Sequence, residues 1–178
     1  MIDFTALTPH CPPAQEEDIR EAEEVLSVIL PDSYKRFVKK TNGVYLSARY
    51  PILEFTEELS TFLSNDFVPV FDILGVNKLE HRHNNFELNE LIEEWGVEGE
   101  KVCTDSIIET EYLSNEWNLP KSLVLLSGDG HTWIALDYRQ VEKDPPVIFI
   151  ESENCHWCKI ADNFEQFLCR LVEEESTS

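Results

Sequence analysis
The chain has 178 residues, with 14 Lys and Arg against 35 Asp and Glu and a formal net charge of −21 at pH 7. A hydrophobic content of 42% with 11% aromatics suffices for one packed domain. The charge argues against direct binding to phosphate backbones or anionic membranes, and it leaves two readings: attraction to a basic partner, or plain solubility.

No apolar run approaches the ~20 residues that span a bilayer. The opening Met1-Ile2-Asp3-Phe4 lacks the basic and apolar regions of a secretory signal. The five cysteines, Cys11, Cys103, Cys155, Cys158 and Cys169, are an odd set without framework spacing. A reduced, cytoplasmic protein is the simplest expectation.

Residues Thr8 to Pro13, with three prolines, read as an extended lead-in. The spacing then predicts a helix over 14–28, with Ile19, Ala22, Leu26 and Ile29 on one face and an acidic first turn that suits the helix dipole. Pro31 breaks it. Asp32 is expected to cap a second helix carrying Tyr34, Phe37 and Val38 inward, and Asn42-Gly43 to end that helix in a left-handed cap. Three β-rich stretches follow: Val44-Tyr45-Leu46, Pro51-Ile52-Leu53-Glu54-Phe55 with Pro51 at a strand start, and Phe67-Val68-Pro69-Val70-Phe71 with Pro69 at an edge or bulge.

A helix over 89–95 is expected to turn Leu88, Leu91, Ile92 and Trp95 inward. A weaker one over 105–117 would bury Ile108, Tyr112 and Leu113 before Leu119-Pro120 stops it. Leu123-Val124-Leu125-Leu126 then leads into Gly128-Asp129-Gly130, and Trp133 to Tyr138 leaves it. This is two antiparallel strands joined at a tight turn, in which glycine supplies positive φ and Asp129 bonds the turn backbone. Val147-Ile148-Phe149-Ile150 is a further strand, reached through a loop over 139–146. Asp162 with Glu165 reads as a capping box for a last helix with Phe164, Phe167, Leu168, Leu171 and Val172 at helical spacing, before a polar tail. The fold class is α+β, with a largely antiparallel, hairpin-rich sheet flanked by N-terminal and C-terminal helices.

The chain contains neither a G-x-S-x-G elbow nor a phosphate-binding Gly-Lys-Ser/Thr loop. Cys155-His156-Trp157-Cys158 supplies two thiolates at zinc-finger spacing, but no second pair accompanies it, and a structural zinc wants four ligands. A redox pair should open a helix, whereas Cys155 follows Glu151, Glu153 and Asn154 on a strand connection, where carboxylates raise a thiol's pKa. The bland reading is small core cysteines. His81-Arg82-His83, near Glu80 and Glu87, reads as a solvated loop. Asp129 and His131 could pair as base and acid, but Asp129 reads first as the turn-former and His131 as a polar strand start. Both remain candidates for the rim of a partner site. Glu109, Glu111 and Glu116 are ordinary solvated charge unless a basic partner exists. Gly128, Gly130 and Asp137 are expected to be structural, Asp137 buried at a strand end. No catalytic residue or cofactor is expected.

Taken in order, the acidic first helix, Leu30-Pro31 with Tyr34 and Phe37, Asn42-Gly43, Leu119-Pro120, the Leu123–Leu126 strand, Gly128-Asp129-Gly130, Leu136-Asp137, Pro146-Val147 and the Phe164–Phe167–Leu168 helix form one pattern. It resembles the SUKH superfamily, which unites fungal cell-wall-synthesis regulators with bacterial toxin-immunity proteins. The resemblance runs from about Glu16 to Val172, which implies a single SUKH-like domain over 1–178. It departs from the common pattern over 47–85 and at Cys155–Cys158. Many bacterial members are intracellular, non-enzymatic proteins that bind a polymorphic toxin, often a nuclease, and block it. Nuclease domains are typically basic, so an acidic inhibitor suits that role. The resemblance also implies a second reading, a regulatory scaffold of the fungal type. A thiol or zinc enzyme built on Cys155 and Cys158 is a third.

Overall fold
Helix α1 (Glu16–Leu26) forms where the apolar spacing requires it, with Ile19 and Ala22 buried and Leu26 half-buried. Its start is tied by Asp18, whose Oδ2 accepts from the Gln15 amide at 2.7 Å. Its end is Ser27 at φ 54°, whose amide returns to Glu23 and Glu24. The chain has left the helix by Ile29, so that side chain is exposed rather than on the buried face. Helix α2 (Asp32–Val38) turns Tyr34, Phe37 and Val38 inward. Pro31 takes the N-cap position and Asp32 is the first helical residue, not the cap; proline at φ −58° is preset for that entry and has no amide to satisfy. The amides of Lys40 and Thr41 close α2 on Phe37 O, so Asn42-Gly43 begins the next strand instead of capping the helix.

The computed structural model describes residues 2–52, 60, 63, 66–76 and 106–173. Leu53-Glu54-Phe55, the expected helix over 89–95, His81-Arg82-His83, Cys103 and Asp105 lie outside them. Two antiparallel sheets replace the single sheet expected. In the first, β1 (Pro9–Cys11), β2 (Asn42–Pro51) and β3 (Phe67–Ile73) lie in that order, and β8 (Val172–Glu173) also pairs with β2. Pro51 ends β2 rather than starting a strand, and Pro69 lies opposite Arg49 on β3, at the sheet's edge. Val172 has left the last helix for β8.

The second sheet runs β4 (Leu123–Gly128), β5 (Thr132–Asp137), β6 (Val147–Glu151) and β7 (His156–Ala161). Strand β7 was not expected; the segment holding Cys158 is a strand, not only a connection. The two sheets meet at β3 and β4. Leu74 N donates to Leu126 O at 2.8 Å, and Ser127 Oγ donates to Asp72 Oδ1 at 2.5 Å in the interior. Helix α3 (Thr110–Glu116) follows a 3-10 turn over Ile107–Glu109, and α4 (Phe164–Arg170) closes the fold against β2 and β7. Asn163, not Asp162, caps α4: its side chain accepts from the Gln166 amide at 2.9 Å, while Gln166 Oε1 accepts from Asp162 N. Leu113 of α3 is buried, Ile108 is half-buried, and Tyr112 faces solvent rather than the core.

Strands β4, β5 and β6 are buried on both faces, which is why Leu123–Ser127 reads as a continuous run without alternation. Val124, Leu126, Ile134, Leu136, Val147 and Phe149 join the large core with Tyr34, Phe37, Phe164 and Phe167. The four rings pack edge-on or tilted, with centroids 5.1–6.4 Å apart. Burial of one such side chain is worth about 2–3 kcal/mol. Leu123, Leu125, Trp133, Ala135, Ile148 and Ile150 form a smaller core under Leu113, Trp117 and Leu119. Buried tyrosines fasten distant segments: Tyr34 donates to Leu74 O (2.6 Å), Tyr50 to Ile160 O (2.7 Å) and Tyr138 to Ile29 O (2.7 Å). Burial pushes the pKa of all three upward.

Candidate partner interface
The β4–β5 turn is built almost entirely from its own residues. Asp129 Oδ1 accepts from the amides of His131 (3.0 Å) and Thr132 (2.8 Å) and from Thr132 Oγ1 (3.2 Å). Gly130 takes φ +94°, which L side chains rarely adopt, and its carbonyl accepts from Trp133 Nε1 (3.1 Å) and Ser152 Oγ (2.9 Å). A Cβ on Gly130 would lie 2.5 Å from the Trp117 ring, and one on Gly128 would lie 2.2 Å from the Trp133 ring. Two tryptophans, as well as the turn geometry, therefore require glycine here. Trp133 follows the turn on β5, but Trp117 comes from the end of another element, so the turn motif alone did not reveal its contact.

His131 lies in the turn, one residue before β5 starts, with 71% of its side chain exposed. Its Nδ1 is 3.7 Å from Glu153 Oε1, and its ring meets Trp117 edge-on at 5.9 Å. Its contact with Asp129 is through the backbone amide, with the carboxylate spent on the turn. Glu151 similarly accepts from the amides of Glu153 (2.8 Å) and Asn154 (3.2 Å), building the β6–β7 turn.

Trp117 ties this end of the sheet to α3. Thr110 Oγ1, at the start of α3, accepts from Leu125 N at 3.0 Å, covering the outer edge of β4. Glu111, in the first turn of α3, and Glu116, in the last, are exposed, while Glu109 at the N-cap is half-buried. The structure thus places the Asp129–His131 turn at the Trp117 end of α3, through the His131 ring on Trp117, the residue that follows Glu116. Glu111 lies at the far end, on a groove shared with α1.

Asp137 closes β5. Its carboxylate accepts from Arg139 N (3.0 Å), Nε (2.8 Å) and Nη2 (2.7 Å). Burial works to raise its pKa, but the Arg139 hydrogen bonds and charge outweigh that and hold it below the usual carboxylate value. Arg139 in turn lies 4.1 Å above the exposed Trp157 ring, a cation–π contact no local motif announced.

Cys155 and Cys158 address opposite faces of the second sheet. Cys158 lies opposite Phe149 and packs on the large core, and burial pushes its thiol up to about 11. Cys155 is exposed, with its thiol 3.6 Å from Asn118 O beyond α3. Among the described residues no three His, Cys, Asp or Glu converge as a metal-binding group.

The model of the SMI1/KNR4 family (SUKH-1) matches residues 13–170. The chain belongs to the SMI1/KNR4 family. A search of curated proteins finds no match. Membership supports an immunity-type or regulator-type role exercised by binding other proteins, and family members are generally not enzymes. Among the described residues no helix of this SMI1/KNR4-family protein is long and apolar enough to cross a membrane.

Proposed function
We propose that this SMI1/KNR4-family protein is a non-enzymatic, cytoplasmic immunity protein, a single domain over 1–178, that binds a cognate polymorphic toxin and covers its active surface. The toxin chemistry that fits is a basic nuclease domain. The observation that carries the reading is the net charge of −21 on a fold of a protein-binding family. Such a surface presents carboxylates where a nuclease expects phosphates, and it accelerates encounter with a basic partner. Asp129, His131, Glu109, Glu111 and Glu116 are the proposed contact residues.

Affinity capture of the tagged full chain from its native lysate, at low and high salt, followed by a neutralisation assay with the captured protein, tests this. One basic toxin-like chain, lost as salt rises and inactive when bound, is the expected result. Recovery of regulatory or cytoskeletal proteins instead would transfer the assignment to the scaffold reading. Affinity for the toxin unchanged between low and high salt would remove the electrostatic part.

A further inference from the structure
A groove of about 940 Å³ runs between the end of α1, helix α3 with the segment after it, and the loop leaving β5. Its lip carries three large aliphatic side chains in solvent: Val25 (52% exposed), Ile29 (53%) and Val141 (39%). Each is an ordinary exposure alone; gathered on one groove they form a surface suited to apolar contact. The same groove is lined by Glu23, Glu111 and Glu142 against one cation, Lys121. Glu23 is engaged by Lys35 at 2.6 Å, whereas Glu111 and Glu142 are exposed and form no ion pair among the described residues.

We propose that this groove seats an amphipathic segment of the basic partner, with aliphatic side chains against Val25, Ile29 and Val141 and Lys or Arg heads against Glu111 and Glu142. It rests on the reading above in taking the partner to be basic, and adds the place and the mode of docking. Apolar anchors on one face of a segment, flanked by cations, match a groove of mixed lining that sets exposed aliphatic side chains beside carboxylates. A second copy of this chain is a poor occupant, because two molecules at −21 repel.

The test uses the full chain, isotopically labelled, titrated with a synthetic amphipathic Leu/Lys peptide and with its Leu/Glu counterpart. Amide shifts should cluster at 25–29, 111–123 and 138–142, and the Leu/Glu peptide should bind at least about tenfold more weakly. Ile29→Ser with Val141→Ser, at exposed positions, should leave the melting temperature unchanged and weaken the Leu/Lys peptide about tenfold. Glu111→Gln with Glu142→Gln should weaken it at low salt only. Shifts at the Asp129–His131 turn or spread over the surface, no binding, binding indifferent to both double variants, or self-association abolished by the serine variant would each overturn the proposal. The same serine variant in the toxin capture separates the two claims. Undiminished capture overturns the groove and leaves the immunity reading standing. A peptide seated in the groove with no toxin captured does the reverse.

Discussion

The two faces of the second sheet are covered in unlike ways. One packs into a core where Phe164 and Phe167 of α4 interlock with Tyr34 and Phe37 of α2, all four buried, and where α4 touches β2 and β7. The other is roofed by α3, seven residues long, through Leu113, Trp117 and Leu119. Helices α2 and α4 on the first face are no longer, and a helix that short has no stability of its own in water, so the difference between the faces lies in how much side chain each one buries, not in helix length. The thickly covered face sets global stability. The thinly covered one carries the exposed Glu111 and Glu116, and α3 borders the groove.

Six substitutions test that contrast, beginning with the largest effect. Phe167→Ala should cost about 3–5 kcal/mol in a denaturant titration, and Leu113→Ala, under the thin roof, should fall near about 2 kcal/mol. Equal losses would erase the distinction between the faces. Gly130→Ala should cost about 2–3 kcal/mol, because a Cβ at φ +94° also meets the Trp117 ring. Combining it with Trp117→Leu tells the two causes apart: partial recovery in melting temperature assigns the cost to the clash, and no recovery assigns it to the backbone.

Thr110→Val keeps the shape of the side chain but leaves the buried Leu125 amide without its acceptor, for about 1–2 kcal/mol. Hydrogen exchange should then quicken in α3 before it does in α4. The smallest effect concerns Asp137→Asn. A carboxyl held below its ordinary value of 3.8 contributes stability that is fully present above that value and is lost as pH falls through the lower folded value. The stability gap between wild type and variant should therefore be constant at neutral pH and shrink only below about pH 4. A gap that closes near neutrality would mean that Arg139 does not engage Asp137 as described.

Where the physics is local, the residues announced it. The α1 face of Ile19 and Ala22, the inward Tyr34 and Phe37, the Gly128-Asp129-Gly130 hairpin and the Phe164–Phe167 helix follow from periodicity and turn chemistry. Errors gathered at element ends. Asp162 and Asn163 are both good caps one residue apart, and Pro31 and Asp32 compete for one position, so spacing alone does not choose between them. Tyr112 shows another limit: in a helix of two turns, an apolar residue off the buried stripe can stay in solvent at little cost. Of the candidate site, the sequence supplied the carboxylates and the turn. It did not supply the Trp117 contact at Gly130 or the groove between α1 and α3.

By itself, then, the sequence determined the class of fold, the hairpin, the acidic character and the family, because each is written in residue type and short spacing. Tertiary structure alone decided that there are two sheets joined by Ser127 and Asp72, 55 positions apart. It alone placed Cys155 and Cys158 on opposite faces, and set Val25, Ile29 and Val141 on one lip with Glu111 and Glu142. These arrangements depend on which distant segments pack together, and periodicity marks the face of a segment that is buried without saying which distant segment covers it.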